Sequence, residues 1–200
     1  MSRNKESPPP SPMPVVVCSG AMHSHAVRIP PNADLVPSLL SAAQQAMQQS
    51  PQPCQSAFVM TAVGSLTEVT LRMAATADDD DKGVSATMTT KKSDCHNDGS
   101  GNDNKKQKTN PSLTETTTRG LRIRTYQNHY EIVSLVGTFA AVEDTDTGSL
   151  VVTQKHLHMS VSDSDGVVMG GHLISGRVYT TLELVLGTMS GVAFTREVLK

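Results

Sequence analysis

Aromatic side chains are nearly absent: the 200 residues include no Trp, three Phe and three Tyr. Few rings are left for bases to stack on, which argues against a single-stranded nucleic-acid binder. The core must instead be built from Val, Leu, Ile, Met and Ala. Cationic excess is lacking too. The formal net charge is −2, and outside residues 75–118 there are 11 basic and 11 acidic side chains. That balance lacks the phosphate-neutralising footprint of a general DNA binder. Arg119, Arg122 and Arg124 make a local stripe, and such alternation on a strand fits a solvating or edge-protecting face. Cysteine is scarce: Cys18, Cys54 and Cys95 are far apart, odd in number and without a CxxC pair. They define neither a disulfide framework nor a zinc knuckle, and reduced thiols suit an intracellular setting. No apolar run approaches membrane-spanning length, and residues 1–14, rich in Ser and Pro, lack a secretory core. These absences predict a protein of the cytoplasm or nucleus with no membrane partner.

What remains allows one domain. With 37% hydrophobic content, residues 15–200 can form a single core once two biased segments are set aside. Residues 1–14 read as a disordered head. Residues 75–118, with the acidic run Asp78 to Asp81, the basic groups Lys91-Lys92 and Lys105-Lys106-Gln107-Lys108, and mostly small polar residues between, read as a disordered insertion.

Elsewhere the periodicity is clear. Residues 23–29 read as extended, and His23 and His25 make an HxH pair in that run. Leu35, Leu39, Ala43, Ala46 and Met47 recur at helical spacing, with Asp34 as a cap and Pro51 and Pro53 as the stop. Residues 57–63 read as a central strand that Gly64-Ser65 turns into a second, forming a hairpin. Further strands are predicted at 121–124, 130–139, 149–153 and 178–186, with Val192 and Phe194 opening a last one. One helix with about eight strands implies an α+β domain, mainly an antiparallel sheet with one packed helix.

The strongest chemical signal is His156-Leu157-His158-Met159-Ser160-Val161-Ser162, followed by Asp163-Ser164-Asp165-Gly166 and, after a short apolar run, His172. Period two puts Leu157, Met159 and Val161 on one side of a strand and both histidines on the other. Asp165-Gly166 reads as a hairpin turn. With a three-residue loop, Ser164 to Gly166, His158 lies opposite His172 and all three rings share a face. A two- or four-residue loop would turn His172 to the apolar side. Three imidazoles with no fourth protein ligand suit zinc or a similar divalent first-row ion with an open position. The competing reading is a polar face hydrogen-bonded to serines. Glu183, on an otherwise uncharged strand, is either a carboxylate near the imidazoles or an edge charge. Glu183 and Asp163 are the candidates for moving protons if the site is catalytic.

Several of these segments resemble one family. Tyr130-Glu131-Ile132-Val133-Ser134-Leu135-Val136-Gly137-Thr138, His156-Leu157-His158, Asp165-Gly166, Gly170-Gly171-His172-Leu173 and Thr181-Leu182-Glu183-Leu184-Val185-Leu186 are similar to the PPC domain of plants and prokaryotes. So are the proline-to-helix entry after Pro31 and the Ala62-Val63-Gly64-Ser65-Leu66 segment. The resemblance implies a compact α+β domain, a homotrimer, and a divalent metal held by His156, His158 and His172 near subunit contacts. Plant members carry an AT-hook with an Arg-Gly-Arg-Pro core, and none occurs here, so the chain resembles the prokaryotic type. At Asn128-His129-Tyr130-Glu131-Ile132 the Gly-Arg-Phe opening of the plant partner-contact motif is replaced. Three functions remain open: a trimeric metal-binding module for a small molecule or protein partner, a metal-dependent enzyme, and a DNA-binding or transcription-associated protein.

Overall fold

The computed structural model describes residues 17–52, 54–74, 86–90, 112–118 and 121–194. In chain order the elements are β1 (Met22–Ile29), α1 (Leu35–Gln49), β2 (Ser56–Arg72), β3 (Ala86–Thr90), β4 (Ser112–Thr118), β5 (Leu121–Glu143), β6 (Leu150–Ser162) and β7 (Val168–Met189). Every strand pair is antiparallel. The ladder runs β1-β7-β2-β5-β4-β3, and β6 pairs with both β5 and β7. The ring β7-β2-β5-β6 therefore returns to its start, and its inward side chains form the core. Leu66, Leu71, Phe139, Leu157, Leu173, Leu182 and Leu186 are wholly buried there. Apolar burial of this kind is the main favourable term in folding.

The helix packs chiefly on β7 and β6, using Leu35, Val36, Leu39, Ala42, Ala43, Ala46 and Met47. This is the apolar stripe expected from its spacing. Asp34 holds the N-cap position, but its side chain makes no capping hydrogen bond. The carboxylate pairs with Arg177 of β7 at 2.9 Å instead. Because α1 lies against β6, the opposite face of β6 is left to the histidines. No helix among the described residues is long and apolar enough to cross a membrane.

The strands are longer and fewer than their sequence suggests. The hairpin expected at Gly64-Ser65 is absent, and β2 passes through both residues as one strand. Gly64 is required by a close approach, since a Cβ there would overlap the Thr181 carbonyl of β7. Register shifts on either side of this point bend β2 without ending it. Residues 121–124 and 130–139 likewise merge into β5, and of the predicted 149–153 strand residues 150–153 open β6. Val192 and Phe194 lie outside any strand.

Part of the expected insertion is ordered into the sheet. Residues 86–90 and 112–118 form β3 and β4, with β3 on β4 and β4 on β5. Both are rich in Thr, whose branched Cβ favours the pleated conformation. A 2.6 Å bridge from Arg124 to Glu115 ties β4 to β5. The rest of 75–118 and residues 1–14 lie outside the described residues, as do Cys95 and Arg119.

Candidate metal centre

The turn between β6 and β7 selects the histidine register. Asp163 N–H donates to the Val167 carbonyl at 3.1 Å, and Gly166 N–H donates to the Asp163 carbonyl at 3.1 Å. The Asp163 carboxylate accepts the N–H groups of Asp165 at 3.0 Å and Val167 at 2.9 Å. Gly166 has φ 78°, the left-handed conformation of a bulged three-residue loop. With this odd loop, Ser162 pairs with Val168 and His158 pairs with His172. A loop one residue shorter or longer would have turned His172 to the other face.

Leu157, Met159 and Val161 are buried, so His156 and His158 project from the outer face of β6. His172 joins them across the β6–β7 ladder. Ring centroids lie 4.9 Å apart for His156 and His158, 5.4 Å for His156 and His172, and 5.3 Å for His158 and His172. The Nε2 atoms of His156 and His158 are 3.2 Å apart. One donor atom from each ring falls within 4.8 Å of the other two. Zinc–nitrogen bonds of about 2.0–2.1 Å place the donors of a tetrahedral ion roughly 3.3 Å apart. The first pair already has that spacing, and rotation of a side chain would close the rest. Among the described residues no carboxylate or thiol joins the cluster, so an ion held by these three side chains would keep an open position.

His172 adds a second indication of fit. Its Nδ1 is buried with no hydrogen-bond partner, and such an atom costs free energy unless something engages it. Burial, then the charges of Arg72, His158, His156 and Lys155, push its pKa down to about 4. The ring is therefore neutral at pH 7, the form that binds metal.

This shift has a stability consequence for the metal-free protein. The unfolded chain takes up a proton on His172 near its ordinary value of 6.5, whereas the folded chain resists until about 4. The contribution is fully present above pH 6.5 and is lost as pH falls toward 4. Urea midpoints measured with chelator at pH 7 and pH 4.5 should differ by more in the native sequence than in His172→Asn. Equal differences would refute the assignment.

The other candidates lie elsewhere. Asp163 is committed to the turn. Glu183 is more than half exposed and pairs with Arg28 at 3.7 Å. It sits opposite Val63 in β2, whereas His172 sits opposite Arg72 near the far end of the same two strands. At ~3.3 Å per residue, that separation is on the order of 30 Å. Glu183 is thus neither part of the histidine cluster nor an edge charge: it is an exposed carboxylate on an interior strand, flanked by Arg28 of β1 and Val63 of β2. His25 donates to or accepts from Thr188 Oγ1 at 3.2 Å on β1. Sequence reasoning missed Arg72 and Lys155. Arg72 is the cross-strand partner of His172, and Lys155 precedes His156 in β6. Only the strand pairing reveals that Arg72 belongs to this surface.

A bent antiparallel sheet closed by β6, one helix on its apolar side and three imidazoles on its outer side define a small α+β domain with a histidine cluster. The chain belongs to the Plants and Prokaryotes Conserved (PCC) domain family, whose profile matches residues 17–190. Two curated relatives, both the bifunctional protein GlmU from strains of Synechococcus, are 28% identical over 189 residues and 27% over 196. These matches take in 94% and 98% of this chain. The chain spans about a fifth of the length of those relatives, 20% and 21%. Among solved structures, it is similar to a hypothetical protein from Salmonella, with 25% identity, TM-score 0.54, and coverage of 90% of this chain and 87% of that one. A plant- and prokaryote-conserved (PPC) protein from Pyrococcus horikoshii has 16% identity, TM-score 0.54 and coverage of 93% and 92%. A metal-containing protein from Archaeoglobus fulgidus has 16% identity, TM-score 0.51 and coverage of 90% and 89%.

Proposed function

We propose that this chain is a divalent-metal-binding module, assembled as a homotrimer, in which His156, His158 and His172 hold a zinc-like ion. The observation that carries the reading is the convergence of three imidazoles on one face through the odd β6–β7 loop. The buried, unpartnered Nδ1 of His172 supports it, and a metal-containing protein shares the fold. An ion held by three neutral ligands supplies a Lewis-acidic position open to a further ligand.

Binding is favoured over catalysis because neither Asp163 nor Glu183 stands with the imidazoles as a proton carrier. A DNA-binding role is less favoured, because basic and acidic side chains outside residues 75–118 are equal in number and give no cationic excess to neutralise phosphates. Trimer assembly is supported by large apolar side chains left exposed on the strands: Met60, Val63, Val133, Val136 and Tyr179.

Elemental analysis of the purified, untagged protein tests the metal, and its solution mass tests the assembly. About one zinc, iron or nickel per chain is expected, in a particle roughly three times 21.3 kDa. The His156→Ala, His158→Ala, His172→Ala triple variant should lose the ion. A native protein that stays metal-free after supplementation would sink the metal reading.

A further inference from the structure

A cavity of about 610 Å³ opens beside the histidine cluster, with His156 in its wall. That volume suits a small organic molecule. Ala140, Met189, Val192 and Phe194 are its apolar lining, and Thr138, Lys155 and His156 are among its polar lining residues. Thr138 is the cross-strand partner of His156, so the polar groups are fixed by the β5–β6 ladder. No Asp or Glu lines the cavity among the described residues.

Charge decides what such a site accepts. Three neutral imidazoles leave the full 2+ charge on a bound ion. Arg72 faces His172 across the β2–β7 ladder, and Lys155 adjoins His156. Neither cation is in an ion pair among the described residues. Among the described residues the cluster contains no carboxylate. Ion, Arg72 and Lys155 together thus present several positive charges in one partly desolvated corner, and an anion is the ligand that compensates them.

We infer that the site takes a small carboxylate with an apolar tail, its carboxylate on the open metal position beside Lys155 and its tail in the cavity against Met189, Val192 and Phe194. This rests on the metal reading above and goes further by assigning the ligand class. The carboxylate binds as the anion, so no bond to carbon is made or broken.

Cobalt(II) tests both layers separately, because its visible spectrum reports changes in coordination. The full chain, stripped and reloaded with cobalt in chloride-free buffer, is titrated with hexanoate, acetate, inorganic phosphate and hexylamine. Hexanoate should alter the cobalt bands and bind at least ~10-fold more tightly than acetate, since each buried methylene is worth up to about fourfold. Hexylamine should leave the bands unchanged. Lys155→Gln should weaken hexanoate by about tenfold, and Phe194→Ala should flatten the preference for hexanoate over acetate, both with cobalt uptake intact. Cobalt bands that no carboxylate perturbs would overturn this inference while the metal reading stood. Phosphate binding as tightly as hexanoate would overturn the apolar part of the site. Failure to take up cobalt would overturn the metal reading and the ligand assignment with it.

Discussion

Leu157→Ala is expected to lower the unfolding free energy by roughly 2–5 kcal/mol and to weaken zinc binding by about tenfold or more. Leu157 is fully buried and lies between His156 and His158 in β6. It faces Gly137 of β5, whose missing side chain already lets the strands approach closely. Truncation leaves a cavity under the strand that carries two of the three imidazoles, and β6 can relax into it. A shift of a few tenths of an ångström at a ligand pair spaced 3.2 Å apart is enough to degrade coordination geometry. Leu182→Ala provides the comparison, because Leu182 is equally buried but lies on β7 opposite Gly64 and Ile29. It should cost a similar amount of stability and leave zinc affinity within about twofold. Urea unfolding of the metal-free proteins and zinc titration of the folded ones give the two numbers. Equal loss of zinc affinity in both variants would show that the cluster responds to global stability and not to its own strand.

Zinc at a hundred times its dissociation constant is expected to stabilise the native protein by about 2.7 kcal/mol, or roughly 5–10 °C in Tm for a domain of this size. The gain arises because the folded chain presents three preorganised imidazoles, whereas the unfolded chain presents them on a flexible segment. His158→Ala should abolish most of it. His158 is exposed, so the metal-free variant should unfold within about 0.5 kcal/mol of the native sequence. The substitution therefore separates metal binding from folding. A thermal scan with zinc, with chelator and with magnesium as a hard-ion control gives the answer. A zinc-induced rise that persists in His158→Ala would place the ion elsewhere.

The cluster was largely legible in the sequence because its determinants are local. Strict alternation in β6 assigns Leu157, Met159 and Val161 inward and the histidines outward, and the turn chemistry of Asp163 and Gly166 offers the loop that aligns His158 with His172. The strand boundaries were much less legible. Gly64-Ser65 has the composition of a turn, yet β5 and β7 supply ladder partners on both sides of β2, and continuing the strand satisfies more backbone groups than ending it. The Thr-rich segments of β3 and β4 were hidden by their polar surroundings, since a strand added at a sheet edge needs little apolar surface of its own.

The sequence by itself determined the antiparallel α+β class, the helix that packs on the sheet, the polarity of the β6 faces and the identity of the three imidazoles. All of these follow from period, capping and turn rules that act over a few residues. Tertiary structure alone decided that β6 closes the sheet, that Arg72 flanks the cluster, that a cavity opens beside His156 and that Glu183 lies far away. Those outcomes depend on pairings between strands distant in sequence, where register is set by the packing of the whole core and not by any one segment.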